Sequence, residues 1–275
     1  MPLPEPRTVA GRSGLAAVID APARALIAVD FDGTLAPIVT NPLDSRPAVG
    51  AVDALRALAP RVGTVAVVTG RPAEVVVSLG DFSDVPGLRV LGHYGLERWH
   101  DGELHSPEPD PAVDEVRRRL PALLADAADG VSVEDKTHSL VVHTRPAADP
   151  AAALAALTAP LERLAADVGL EVVPGRFVLE IRPSGVDKGS AVVSLVRERD
   201  AHAVLFIGDD RGDLPAFGAV EMLRRDGVPG VTVASVDPST VDAPAELAER
   251  ADLVLAGPDA VVEFLVALAA TLSAT

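Results

Sequence analysis

Short apolar runs rich in β-branched residues recur at wide spacing along the chain: 25–29, 64–68, 89–91, 203–207, 230–234 and 253–255. Most are continuous rather than alternating, the pattern of strands buried on both faces of a parallel sheet. Stretches predicted as helix lie between them, among them 49–58, 188–199 and 245–249. Strand alternating with helix predicts a doubly wound α/β core, in which ligands bind beyond the carboxyl ends of the strands. The middle of the chain breaks this rhythm. Pro107, Pro109 and Pro111 interrupt it, and 112–128 then reads as a helix, 131–136 and 139–144 as strands, and 150–168 as an Ala-rich helix. Two further strands at 170–173 and 177–181 are joined through Pro174-Gly175, a turn dipeptide. This α-β-β-α-β-β order predicts an antiparallel α+β module inserted at 106–183, leaving 25–105 and 184–275 as the core. Residues 1–24 carry Pro, Gly and Arg around a short apolar patch and are expected to be a partly loose extension without a signal-peptide core.

Composition narrows the setting. A chain of 275 residues has room for two modest domains. Aromatic residues are only 3%, so the cores must be built from Val, Leu and Ala. The absence of cysteine excludes disulfides and thiolate metal sites and fits the cytoplasm. No run approaches the ~18 apolar residues of a membrane span. A net charge of −16 argues against nucleic acid or an anionic membrane as partner. A monomer acting on a small molecule is expected. Any anion it binds must meet local positive charge.

Four clusters carry chemistry. The run 25–29 ends in Asp30-Phe31-Asp32-Gly33-Thr34. Strand alternation would put Asp30 and Asp32 on one side. Two carboxylates facing one point repel unless a proton or cation separates them, and a hard ion such as Mg²⁺ favours such oxygen ligands. Gly33 lets the chain turn away at once. An Asx-rich turn after a core strand would use the same residue types. Thr69-Gly70-Arg71-Pro72 closes the second run and offers a hydroxyl and free N–H groups to a phosphate oxygen, although a helix N-cap would use the same threonine. Lys188 stands where a helix should begin, a position the helix dipole disfavours for a lysine without a task. Asp209, Asp210 and Asp213, three acids in five residues beyond an apolar run, complete with Asp30 a set of oxygen ligands.

Asp30-Phe31-Asp32-Gly33-Thr34 resembles the nucleophile motif of the haloacid dehalogenase superfamily of phosphatases. The resemblance implies a haloacid dehalogenase-like core with an inserted cap, attack of Asp30 on phosphorus to give an aspartyl-phosphate, and Asp32 as general acid and then base. A carboxylic acid at that position can protonate a leaving alkoxide and later activate water, which argues for a hydrolase. By the same resemblance Thr69, Gly70 and Arg71 bind phosphate, and Lys188 holds Asp30 and phosphate together. Asp30, Asp32, Asp209, Asp210 and Asp213 would form the Mg²⁺ site, with Asp209 a direct ligand and Asp210 and Asp213 orienting its waters.

From about residue 25 onward the resemblance narrows to the trehalose-6-phosphate phosphatases. Residues 35–38 extend the nucleophile motif as that family does, and His93-Tyr94-Gly95-Leu96-Glu97 is similar to its His-Gly-x-Glu segment with one residue inserted or shifted. Glu134-Asp135-Lys136 and His143-Thr144-Arg145 resemble its Glu-Asp-Lys and His-Tyr-Arg segments, and Arg176 to Glu180 with Arg182-Pro183 resembles the stretch entering the lysine motif. Glu134, Lys136, Arg176 and Glu180 are thereby implied as contacts of the sugar lacking phosphate, Arg145 as a contact of phosphate or of cap closure, and Glu97 as a further substrate contact. Interleaved acids and bases on a sheet face suit hydroxyls, which both donate and accept; they equally make cross-strand ion pairs. Two departures stand out: Arg176 replaces the usual lysine, and Gly212-Asp213-Leu214 lacks the family's Thr and Glu. The implied activity is Mg²⁺-dependent hydrolysis of trehalose 6-phosphate to trehalose and phosphate. Another sugar-phosphate or glycosyl-phosphoglycerate phosphatase of the superfamily is the alternative. A non-catalytic sugar-phosphate binder would be marked by loss of the nucleophile or metal acids, and none is lost.

Overall fold

The computed structural model describes residues 2–175, 177–237 and 245–273. The chain forms two compact units, Met1–Ser106 with Asp187–Thr275, and Pro107–Val186. In chain order the larger unit opens with α1 (Val9–Asp20), β1 (Ala25–Val29), α2 (Ala51–Leu58), β2 (Thr64–Val68), α3 (Ala73–Gly80), β3 (Arg89–Gly92), β4 (Glu97–His100) and β5 (Glu103–His105). The smaller unit follows as α4 (Pro111–Leu123), β6 (Ser132–Asp135), β7 (Leu140–His143), α5 (Pro150–Ala166), β8 (Leu170–Gly175) and β9 (Val178–Pro183). The chain then returns with α6 (Lys188–Glu198), β10 (Ala203–Gly208), α7 (Leu214–Arg225), β11 (Gly230–Ser235), α8 (Ala245–Arg250), β12 (Leu253–Leu255) and α9 (Gly257–Ser273).

The larger unit is built on one eight-stranded sheet in the order β12-β11-β10-β1-β2-β3-β4-β5. From β12 to β3 neighbouring strands run parallel. Every residue of β1, β2, β10 and β11 is buried, as continuous apolar strands covered on both faces must be. Ile27, Val29, Leu205 and Ile207 join one core with α2, α3 and α9, whereas Leu26, Ala28, Val204 and Phe206 join the other with α6 and α7. The register pairs Val29 with both Ile207 and Val67, so the carboxyl ends of β1, β2 and β10 lie side by side.

Two parts differ from expectation. Within 2–24, α1 is capped by Thr8, whose Oγ1 accepts from the Gly11 N–H at 2.9 Å, and it packs Leu15 and Val18 into the core. It lies so close to the sheet that a Cβ on Gly14 would come within 1.8 Å of the Gly230 carbonyl oxygen. The glycine that reads as a loop former is what admits the helix. At one edge of the sheet, β4 and β5 add an antiparallel hairpin that carries too few apolar residues to be legible as strands. Its Asp101-Gly102 turn, with φ +51° and +84°, was the available signal.

The smaller unit is a four-stranded antiparallel sheet, β6-β7-β9-β8, with α4 and α5 on one face. Leu140, Val142, Leu179 and Ile181 meet Val113, Leu120, Leu157 and Leu161 there. Glu134, Val141 and Glu180 fall in one cross-strand row of the opposite face.

Candidate active site

Asp30 is the first residue beyond β1, and its N–H still donates to the Ile207 carbonyl at 2.9 Å. That bond holds the side chain, 3% exposed, at the sheet's carboxyl edge. Lys188 begins α6 behind the Asp187–Ser190 capping box, and its buried ammonium lies 2.6 Å from Asp30 Oδ1 and 2.8 Å from Asp213 Oδ1. Asp213 is fully buried, and its Oδ2 accepts from the N–H groups of Asp209 and Asp210 at 2.8 and 3.1 Å. Asp209 accepts from the Thr34 hydroxyl at 3.2 Å. Gly33, at φ +80°, passes directly beneath it: a Cβ there would sit 2.0 Å from Asp209 Oδ2. Glycine is thus required twice over, by backbone conformation and by close approach.

One oxygen from each of Asp30, Asp209 and Asp213 lies within 4.8 Å of the others. Burial, reinforced by the charges of Asp213 and Asp210, raises Asp30 well above the ordinary aspartate range, although Lys188 opposes the shift. Asp209 is raised for the same reason, burial first and then its carboxylate neighbours. Burial disfavours the charge on Lys188, but Asp213, Asp30 and Asp210 outweigh it and hold the ammonium well above its usual range. Carboxylates whose charge is disfavoured by burial and then by one another mark a place where a cation relieves the cost. An all-oxygen donor set fits a hard divalent ion. Both oxygens of Asp213 are occupied by Lys188 and two amides, so Asp30 and Asp209 are the carboxylates with capacity for direct contact, and Asp213 aligns its neighbours.

The other residues singled out from the sequence take different partners. The Asp32 carboxylate does not join the cluster of Asp30, Asp209 and Asp213. It is gripped at two points by Arg71, Nε to Oδ2 at 2.5 Å and Nη2 to Oδ1 at 2.6 Å, and it accepts from Ser45 Oγ at 3.2 Å. Alternation does not carry over to it because β1 ends at Val29 and the chain has already turned. Arg71 is committed as well, since its Nη1 donates to the Pro42 carbonyl at 2.7 Å and its guanidinium stands 5.8 Å over Phe31. Ser45, fully buried in a loop, carried no sequence signal for this role. Asp210 is exposed and caps the following turn, accepting from the Gly212 N–H at 2.8 Å. Thr69 is 1% exposed, and its Oγ1 accepts from the Arg71 N–H at 3.1 Å at the end of β2. Glu97 accepts from the Ala73 N–H at 2.7 Å, a carboxylate at the N-terminus of α3, where the helix dipole favours it.

In the smaller unit, Glu180 accepts from Ser139 Oγ at 2.7 Å and has Lys136 Nζ at 3.9 Å. Glu134 pairs with His143 at 2.9 Å. Ser139 and His143 were not among the sequence candidates. Arg145 is exposed, and Arg176 lies outside the described residues.

The profile of the trehalose-phosphatase family matches residues 28–251. A trehalose-phosphate phosphatase of Mycobacterium avium is 37% identical over 212 residues, which are 73% of this chain and 52% of that protein. An uncharacterized glycosyl hydrolase of Mycobacterium tuberculosis is 36% identical over 210 residues, 72% of this chain but 15% of that protein. The chain therefore spans about half the length of the first of these relatives and a small part of the second. Among solved structures, the C-terminal domain of trehalose-6-phosphate phosphatase from C. albicans shares the fold with a TM-score of 0.75 at 20% identity, over 98% of this chain and 99% of that one. A haloacid dehalogenase-like hydrolase from Bacteroides thetaiotaomicron does so with a TM-score of 0.61 at 18% identity, over 88% and 98%.

Proposed function

The chain belongs to the trehalose-phosphatase family, and from that premise we propose that it hydrolyses trehalose 6-phosphate to trehalose and phosphate. The observation that carries the reading is the Asp30–Lys188–Asp213 ion network beside Asp209 at the carboxyl edge of the sheet. A buried aspartate held by a lysine is a pre-positioned nucleophile whose surroundings also bind an anion. Asp30 attacks phosphorus as the ester P–O bond breaks, and Asp32 gives its proton to the departing sugar oxygen. Asp32 then takes a proton from the water that cleaves the aspartyl-phosphate. Lys188, Thr69 and the Gly70 backbone hold phosphoryl oxygens, while Arg71 fixes the orientation of Asp32. Mg²⁺ would be held by Asp30 and Asp209, with Asp213 aligning them, and when bound it supplies charge that offsets the phosphoryl oxygens.

On the smaller unit, Glu134, Lys136, Arg176 and Glu180 recognise the hydroxyls of the sugar lacking phosphate, and Arg145 serves phosphate or cap closure. Glu97 acts indirectly in this scheme, by fixing the start of α3. The same reading takes the protein as a cytoplasmic monomer with a small-molecule substrate; among the described residues no helix is long and apolar enough to cross a membrane. Mg²⁺-dependent phosphate release is to be compared for trehalose 6-phosphate, glucose 6-phosphate and sucrose 6-phosphate, with Asp30→Asn as control. Trehalose 6-phosphate should lead and Asp30→Asn should fall to background. Equal rates on the three sugars would leave a less selective sugar phosphatase, and a fully active Asp30→Asn would remove the mechanism.

A further inference from the structure

The residues after β3 adopt an uncommon backbone. His93, Tyr94 and Gly95 have φ of +46°, +59° and +98°, and only the glycine takes up that region freely. Side-chain-bearing residues stay there only where the surroundings dictate it, and here they do. His93 N–H donates to the Arg71 carbonyl and Tyr94 N–H to the Thr69 carbonyl, both at 2.9 Å. Thr69 N–H donates to Leu91 O at 2.9 Å, and Glu97 accepts from Ala73. The segment is thus stitched to Thr69-Gly70-Arg71 on both sides.

What this strained turn delivers is the side chain of Tyr94, the sole tyrosine of the chain. Its phenol end rests on Gly70, where a Cβ would lie 2.7 Å from both Cζ and Oη. Gly70 is therefore small because the phenol occupies its side-chain space. Beside it Arg71, the cation that sequence reasoning places on phosphate, is engaged by Asp32 and the Pro42 carbonyl. In a site crowded with carboxylates a neutral hydroxyl adds a donor beside Thr69 and Gly70 without disturbing the lysine network.

We propose that Tyr94 is a further substrate-binding residue, its hydroxyl donating a hydrogen bond to an oxygen of the phosphate held at Thr69-Gly70. The proposal rests on the reading of Thr69 as the phosphoryl site, not on the identity of the sugar. The test compares the full chain with Tyr94→Phe, which keeps the ring on Gly70 and removes only the hydroxyl. KM should rise about tenfold or more for both the sugar phosphate and p-nitrophenyl phosphate, the effect of losing one hydrogen bond to a charged group. Inhibition by inorganic phosphate should weaken by the same factor, with the melting temperature unchanged. In a Gly70→Ala background, where the new methyl displaces the phenol, Tyr94→Phe should add nothing; that comparison also decides the matter if the phenylalanine variant melts lower. Unchanged KM and phosphate inhibition would overturn the proposal, as would a loss confined to the sugar phosphate, which would put the hydroxyl on the sugar. A wild type indifferent to trehalose 6-phosphate, combined with weakened phosphate binding in Tyr94→Phe, would instead overturn the proposed substrate and leave Tyr94 in its role.

Discussion

Asp213→Asn removes one charge and almost no volume, so its effect reports the polar contacts of the acidic centre. Asp213 Oδ1 accepts from the Lys188 ammonium at 2.8 Å, and Oδ2 accepts from two backbone N–H groups at 2.8 and 3.1 Å. The ammonium and both amides are donors. An asparagine NH₂ would face either the ammonium or the two amides, and in both orientations a donor meets a donor in a fully buried position. An unsatisfied buried polar group costs about 1–3 kcal/mol, and breaking a buried ion pair costs about 3–5 kcal/mol. Lys188 retains Asp30 at 2.6 Å, and the loss of one carboxylate relieves repulsion on Asp30 and Asp209, so the lower end applies. We expect about 3 kcal/mol of destabilisation, which at roughly 2–4 °C per kcal/mol lowers the melting temperature by about 6–12 °C. Trp99, the sole tryptophan, is buried in β4, so its emission follows the larger unit alone in thermal or urea unfolding. A variant within about 0.5 kcal/mol of wild type, the range of an ordinary surface substitution, would refute the claim that Asp213 organises this centre.

Cation affinity should depend on pH with a definite sign. Burial and mutual repulsion raise Asp30 and Asp209, so the folded state keeps protons that the unfolded chain releases. This contribution favours folding at low pH and is lost as pH rises through the raised values, where an incoming cation takes the protons' place. Calorimetric titration with Mg²⁺ should therefore give tighter binding at about pH 8 than at about pH 6, with protons released on binding; equal affinity at both would refute the shared site. Arg71→Lys keeps the charge but loses the two-point grip on Asp32. It should lower kcat on the sugar phosphate about tenfold and act less on p-nitrophenyl phosphate, whose leaving group needs no proton. Equal losses on the two substrates would show that Arg71 does not act through Asp32.

Much of the architecture was legible because it rests on local rules. Continuous apolar runs at 25–29, 64–68 and 203–207 have few alternatives to a sheet buried on both faces, and acids placed just past such runs come to its carboxyl edge. Asp30 and Asp209 meet for that reason, and Lys188 reaches Asp30 from the start of α6, the helix that leads into β10. The 2–24 segment differs from expectation because Gly11 and Gly14 signal a loop in isolation, whereas in place they admit close contacts of α1 with the Asp252 side chain and the Gly230 carbonyl.

Which partner each side chain takes was a tertiary decision. Asp32 faces Arg71 and Ser45 rather than the other acids, Asp213 spends its oxygens on Lys188 and two amides, Glu97 caps α3, and Tyr94 is bent over Gly70. A sequence carries the period of a strand only as far as the strand runs, and it holds no measure of distance between residues far apart along the chain. Charge, donor count and glycine spacing could nominate these residues, but only folding brought each donor within reach of one particular acceptor.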